Sequence, residues 1–236
     1  IKNVQAFGKL TGICTGYGGT YKPGKQNLQV NALITLLNNA QQTLSEVNEA
    51  QTAYDNITNT RELVFHRVRR LSSRTFNVLK SCGAHVLTIE DARLSMRKLH
   101  GWRSKNAASP TETVTAEGNP KPGFFYARDY ASLAFYFAKL VETVSAEANY
   151  MPTEPELSVD GLKVKLAELQ SLNDAVAMAE IELTSARRKR NALFYRGDGN
   201  LFATAVAAKQ YVRGAFGFSS DQHAEVSKLR FTKPND

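Results

Sequence analysis

From Gln26 to Cys82 the chain runs for 57 residues without a Gly or a Pro, and apolar side chains return every three and four positions. Val30, Leu33, Leu37, Ala40, Leu44, Val47 and Tyr54 form one seam, which resumes after a polar stretch as Ile57, Val64, Val68, Leu71, Val78 and Cys82. That period is the period of an α-helix with one buried stripe. A stripe this long needs another helix to cover it, so the pattern predicts a helical bundle. No strand pattern competes, and only the N-terminal Gly-rich segment leaves room for a short strand.

The second half repeats the first at a shift of 129 residues. Tyr21, Pro23, Leu28, Leu33, Leu37, Val47, Phe65 and Arg67 face Tyr150, Pro152, Leu157, Leu162, Leu166, Val176, Phe194 and Arg196. One residue of slippage extends the match upstream, where FGKL at Phe7 meets FAKL at Phe137. The shared positions belong to the apolar seam and to a Tyr-x-Pro connection, which marks duplication of a structural unit. The expected fold is all-α: two homologous helical repeats, residues 1–105 and 124–236, whose long amphipathic helices form an elongated bundle around one core. A Ser/Thr/Pro-rich linker, residues 106–123, joins them, with Trp102 anchoring its start.

Each repeat has a first helix, the Tyr-x-Pro connection, a long helix and two short helices. In the second copy the first helix spans about Arg128 to Ala148. Projecting the shift back past Ile1 places the opening turns of its counterpart before the first residue. The second long helix is expected from Leu157, capped by Ser158 or Asp160, and must stop at the Gly197-Asp198-Gly199-Asn200 turn signal. The first copy has no such turn, so its long helix either runs on to Cys82 or breaks near Arg69 to Ser73. Further short helices are expected near Thr88 to His100, Leu201 to Arg213 and Ser219 to Lys228, with turns at Gly83 and Gly214.

The pattern FxKLxE at Phe137, YxPxExEL at Tyr150, RxxLFY at Arg190, KxYVRxxFG at Lys209 and KLRFTK at Lys228 resembles an uncharacterised family of bacterial all-helical proteins with this duplicated layout. The resemblance implies a helical bundle and carries no activity, cofactor or site residue with it.

Composition adds one anomaly, a formal charge of +8. A basic balance favours an anionic partner such as nucleic acid or a membrane surface. The charge is unevenly placed. Arg61 to Lys105 holds eleven Lys or Arg against three acids, and Arg187 to Lys233 holds ten against three, whereas Thr111 to Glu182 holds five against twelve. Two clusters stand out: Arg67, Arg69, Arg70 and Arg74, then Arg187, Arg188, Lys189, Arg190 and Arg196. Read functionally, they are two phosphate-contacting patches with Phe65, His66, Phe194 and Tyr195 beside them for stacking. Read structurally, they are solvated cations near helix ends that pair with the acidic stretch from Glu142 to Glu182.

Other chemistry is thinner. Gly19 to Gln26 has the GxxxxGK spacing of a phosphate-binding loop, with Lys25 as the phosphate-reaching residue. Against it, Gln26 replaces the magnesium-ligating hydroxyl, Pro23 removes a backbone donor, and the equivalent segment from Tyr150 to Leu157 has no glycine. His66, His85, His100 and His223 lack metal-ligand spacing and read as surface or capping histidines. Glu90 and Asp91 read as capping carboxylates in the first turn after Thr88. No catalytic residue, metal site or cofactor is expected. Cys14 and Cys82 are too few for a disulfide framework and fit a reducing compartment, which favours the cytoplasm. No apolar run approaches the roughly 18 residues of a membrane span. The leading functional expectation is a non-enzymatic structural or protein-interaction module, engaging a protein partner or further copies of itself. The alternative is nucleic-acid binding through the two basic clusters.

Overall fold

The computed structural model describes residues 2–101 and 129–233. Among them are seven α-helices and no strand: α1 Lys2–Gly16, α2 Val30–Ser81, α3 Val86–His100, α4 Tyr130–Ser145, α5 Val159–Tyr195, α6 Leu201–Phe216 and α7 Asp221–Ser227. The protein is all-α. None of the described helices is long and apolar enough to cross a membrane. The 106–123 linker and Trp102 lie outside the described residues.

The unbroken seam makes α2 one continuous helix through Arg69 to Ser73, ending where Gly83 takes a positive φ of 78°. The other long helix, α5, stops at Tyr195, because Gly197 and Gly199 both adopt positive φ, which side-chain-bearing residues resist. Asn200 then starts α6, its Oδ1 accepting the Ala203 amide at 2.8 Å. At the start of α5, Ser158 Oγ accepts the Gly161 amide at 3.0 Å, the capping role expected of it. Gly161 must be a glycine there: a Cβ would stand 2.1 Å from the Pro155 carbonyl oxygen.

Three local expectations are corrected. Gly214 lies inside α6, and the turn falls instead at Gly217, whose φ is 92° and whose amide bonds the Arg213 carbonyl. α3 begins at Val86 rather than at Thr88, because His85 Nδ1 accepts the Leu87 amide and caps it. Glu90 and Asp91 therefore sit beyond the first turn. The N-terminal Gly-rich segment forms a short 3-10 turn, Gly18–Thr20, and no strand.

The chain folds as two compact units, and they are not the two sequence halves. One comprises residues 1–54 and 179–236, the other residues 55–178. Both long helices contribute to both units. In the first unit, Phe7, Leu10 and Cys14 of α1 are buried with Leu33 and Ala40 of α2, Leu201, Ala205, Ala208 and Val212 of α6, and Val226 of α7. Tyr21 completes this core, its hydroxyl donating to the Leu28 carbonyl at 2.9 Å. In the second unit, Phe65, Val68, Phe76 and Leu79 of α2 are buried with Ala92, Met96 and Leu99 of α3, Phe137, Leu140 and Val144 of α4, and Leu162 and Leu169 of α5. Tyr150 lies in this core, and its hydroxyl donates to the Leu157 carbonyl at 2.9 Å. Two cores thus form where the sequence suggested one.

Candidate functional site

The first basic cluster lies on α2 in the second unit. Residues three and seven apart on a helix share a face, so Arg67, Arg70 and Arg74 point together. The same face turns Val68 and Leu71 inward at the base of the array. Opposite stands the start of α5, which brings in Glu156 and Lys165. These residues line a groove of about 510 Å³. Arg67 and Arg70 are exposed and Arg74 is half-buried. Arg74 pairs with Glu156, and both side chains reach solvent. An exposed pair of this kind contributes under about 1 kcal/mol and can be exchanged for another anion. Lys165 pairs with Glu168 on its own helix. The groove therefore offers three guanidinium groups and one ammonium around a single lining carboxylate.

Arg69 does not join them. It lies on another side of α2, where its carbonyl accepts hydrogen bonds from Ser72 Oγ at 2.8 Å and Ser73 Oγ at 3.1 Å. His100, at the end of α3, brings Nε2 within 3.1 Å of the same carbonyl and 3.0 Å of Ser73 Oγ. Because both hydroxyl hydrogens are committed to the carbonyl, Nε2 must carry the proton and donate. This cluster ties α3 to α2 and is structural.

The second basic cluster disperses. Four consecutive residues advance about 100° each around a helix. Arg187, Arg188, Lys189 and Arg190 therefore encircle α5 and do not converge. Arg187 Nη2 donates to Gln51 Oε1 at 2.7 Å, and the Arg190 guanidinium donates twice to Asn191 Oδ1, at 2.9 and 3.1 Å. Lys189 faces a groove it shares with Glu46, Glu49 and Glu182, where three carboxylates outnumber its single charge. Arg196 is exposed beyond the end of α5.

The aromatic residues expected to stack bases are used elsewhere. Phe65 is buried edge-on against Tyr130 at a centroid distance of 4.8 Å, and Arg61 covers the other side of that tyrosine ring at 4.1 Å. Phe194 is buried beside Tyr195, whose hydroxyl accepts from Asn3 Nδ2 at 3.2 Å. His66 alone of the four is exposed. Lys165 is the groove residue that the sequence did not reveal, since it lies in the acidic stretch.

The remaining motifs resolve structurally. Helix α1 leads into the Gly19–Gln26 segment, Lys25 is extended and precedes only a single 3-10 turn, Gln26–Leu28, and α2 starts at Val30, so Lys25 has neither a preceding strand nor an α-helix start beside it. Among the described residues, no three His, Cys, Asp or Glu side chains come together as a metal site. Burial pushes the Cys14 thiol above its ordinary range, which keeps it protonated and unreactive. Cys82 Sγ lies 3.1 Å from the Leu79 carbonyl.

The class defined by these observations is an all-α protein with two cores and a basic groove on one of them. No protein-family model matches the chain, and no curated protein or solved structure matches it either.

Proposed function

We propose that this protein is a non-enzymatic interaction module built from two homologous helical repeats, of the bacterial all-helical kind its motifs resemble. The duplication is supported by paired environments. Phe7 and Phe137, Leu10 and Leu140, and Leu33 and Leu162 are all fully buried, and Tyr21 and Tyr150 make the same hydrogen bond over the same seven-residue span.

The observation that carries the interaction reading is the outer side of α3. Leu87 and Leu94, seven residues apart, share one side of that helix with Val86 at its start. They are 64%, 59% and 65% exposed, while Ala92, Ser95, Met96 and Leu99 commit the opposite side to the core. Aliphatic side chains this exposed on the outer side of α3, set among the exposed charges of Glu90, Asp91, Arg93 and Lys98, support a surface for another protein or a further copy of this one. The expected behaviour of the purified full-length chain is a complex or oligomer in light scattering. Leu87→Glu with Leu94→Glu should dissolve it and leave the helical circular dichroism unchanged. A wild-type chain that is monomeric and co-purifies with no protein from its native source would overturn the proposal.

The alternative, nucleic-acid binding, is supported by the convergence of Arg67, Arg70, Arg74 and Lys165 on one groove. It predicts affinity that falls steeply with salt and that is lost when Arg67, Arg70 and Arg74 all become Ala. Binding indifferent to salt or to those substitutions would remove this reading.

A further inference from the structure

A second cationic groove lies in the first unit, in a region that the two basic clusters do not reach. Gln5 and Ala6 lie three and four residues after Lys2 on α1 and Lys9 seven after it, one helical face, while Val4, Phe7 and Leu10 turn into the core. Alongside runs the segment after α7. There exposure alternates: Lys228 and Arg230 are exposed, Leu229 and Phe231 half-buried against the core. The two elements enclose a groove of about 650 Å³, lined by Lys2, Gln5, Ala6, Lys9, Lys228, Leu229 and Arg230. Among the described residues no carboxylate lines it.

The segment bearing Lys228 and Arg230 is held from both sides. Before Arg230, the Lys209 ammonium donates to the Leu229 carbonyl at 2.8 Å. Beyond it, the buried side chain of Asn3 binds both backbone groups of Thr232: its Nδ2 donates to the Thr232 carbonyl at 2.7 Å, and its Oδ1 accepts the Thr232 amide at 3.1 Å. Lys2 and Lys9 stand on the rigid helix that carries Asn3. The backbone positions of all four cations are therefore fixed before any ligand arrives, so binding costs little ordering of the chain.

We propose that this groove is a binding site for a compact oxyanion of several charges, of the oligophosphate class. Four cations gathered with no carboxylate among the described lining residues repel one another, and an anion bearing several oxygens relieves that repulsion while satisfying ammonium and guanidinium donors together. Among the described residues no aromatic ring lines the groove, so none of them stacks on a base, and phosphate oxygens are the part of a ligand the groove recognises. The volume is that of a small-molecule site.

The test is calorimetric titration of the full chain with sodium triphosphate, with ATP in parallel, in low and in moderate salt. Expected are one site, affinity that weakens severalfold as the salt rises, and similar affinities for triphosphate and ATP. Lys9→Ala, Lys228→Ala and Arg230→Ala each should weaken binding by about tenfold. These side chains are exposed, so the variants should keep the wild-type circular dichroism and melting temperature, and Arg67→Ala with Arg70→Ala should bind as the wild type does. No measurable binding, binding unchanged by the three single substitutions, binding lost with the α2 arginines, or ATP held at least tenfold more tightly than triphosphate each overturns the proposal.

Discussion

At the scale of single residues, two glycines inside or at the start of helices play opposite parts. Gly161 sits where a Cβ would collide with the Pro155 carbonyl at 2.1 Å, whereas a Cβ on Gly214 would meet nothing within 4 Å. Gly161→Ala must push the Pro155 backbone away or unwind the first turn of α5, and is expected to destabilise the fold by about 2 kcal/mol or more. Gly214→Ala removes the entropic handicap of a helical glycine and should stabilise by about 0.5–1 kcal/mol. Urea unfolding of the two variants checks both signs. Sequence reading marked Gly214 as a turn, since a lone glycine near the end of a helical pattern is the usual stop signal. The choice between Gly214 and Gly217 rests on which residue must adopt positive φ, and composition alone does not express that.

At the scale of elements, caps and interruptions were legible because they are local. The Gly197 to Asn200 run ends α5 and starts α6 as its residue types require, and Ser158 caps the start of α5. Asn200→Ala removes the acceptor for the Ala203 amide and should cost about 1 kcal/mol, with the loss concentrated in α6. Hydrogen exchange of the α6 amides is the measurement, and equal destabilisation spread over every helix would contradict this account. The absence of any breaker predicted that α2 could run on past Arg69. That it does so follows from burial of Val68, Ser72, Thr75, Phe76 and Leu79 along one continuous stripe. The basic groove was half legible. The spacing of Arg67, Arg70 and Arg74 implied one face, but Lys165 arrives from another helix, and local sequence does not encode which helix stands opposite.

At the scale of the whole molecule, the buried phenols set the response to alkali. Burial raises the Tyr17, Tyr21 and Tyr150 hydroxyls above their ordinary value of 10.0, and for Tyr17 the Glu225 carboxylate adds to the effect. The unfolded chain releases these protons first. Their contribution to stability is therefore fully present below about pH 10 and is lost as the pH climbs beyond it. Cys14 acts in the same sense from its ordinary 9.0. Lys209 opposes them: burial lowers its affinity for a proton, so its term gains as the pH rises toward 10.5. Since the acids outnumber it, denaturant stability should hold steady up to mildly alkaline pH and then decline, with tyrosinate absorbance appearing together with unfolding. Tyr21→Phe should make that decline shallower, and an unchanged slope would show that another group sets it. The sequence by itself determined that the protein is helical, that α5 stops before the Gly197 to Asn200 turn, and which side of the long seam faces inward, because these follow from hydrogen bonding and side-chain period within a few residues. Only the tertiary structure decided how helices from the two halves combine, with α1 sharing a core with α6 and α7, and α4 sharing one with α3. An apolar stripe states that a face is buried and is silent about what buries it; that choice is made by the fit of side chains far apart in the chain.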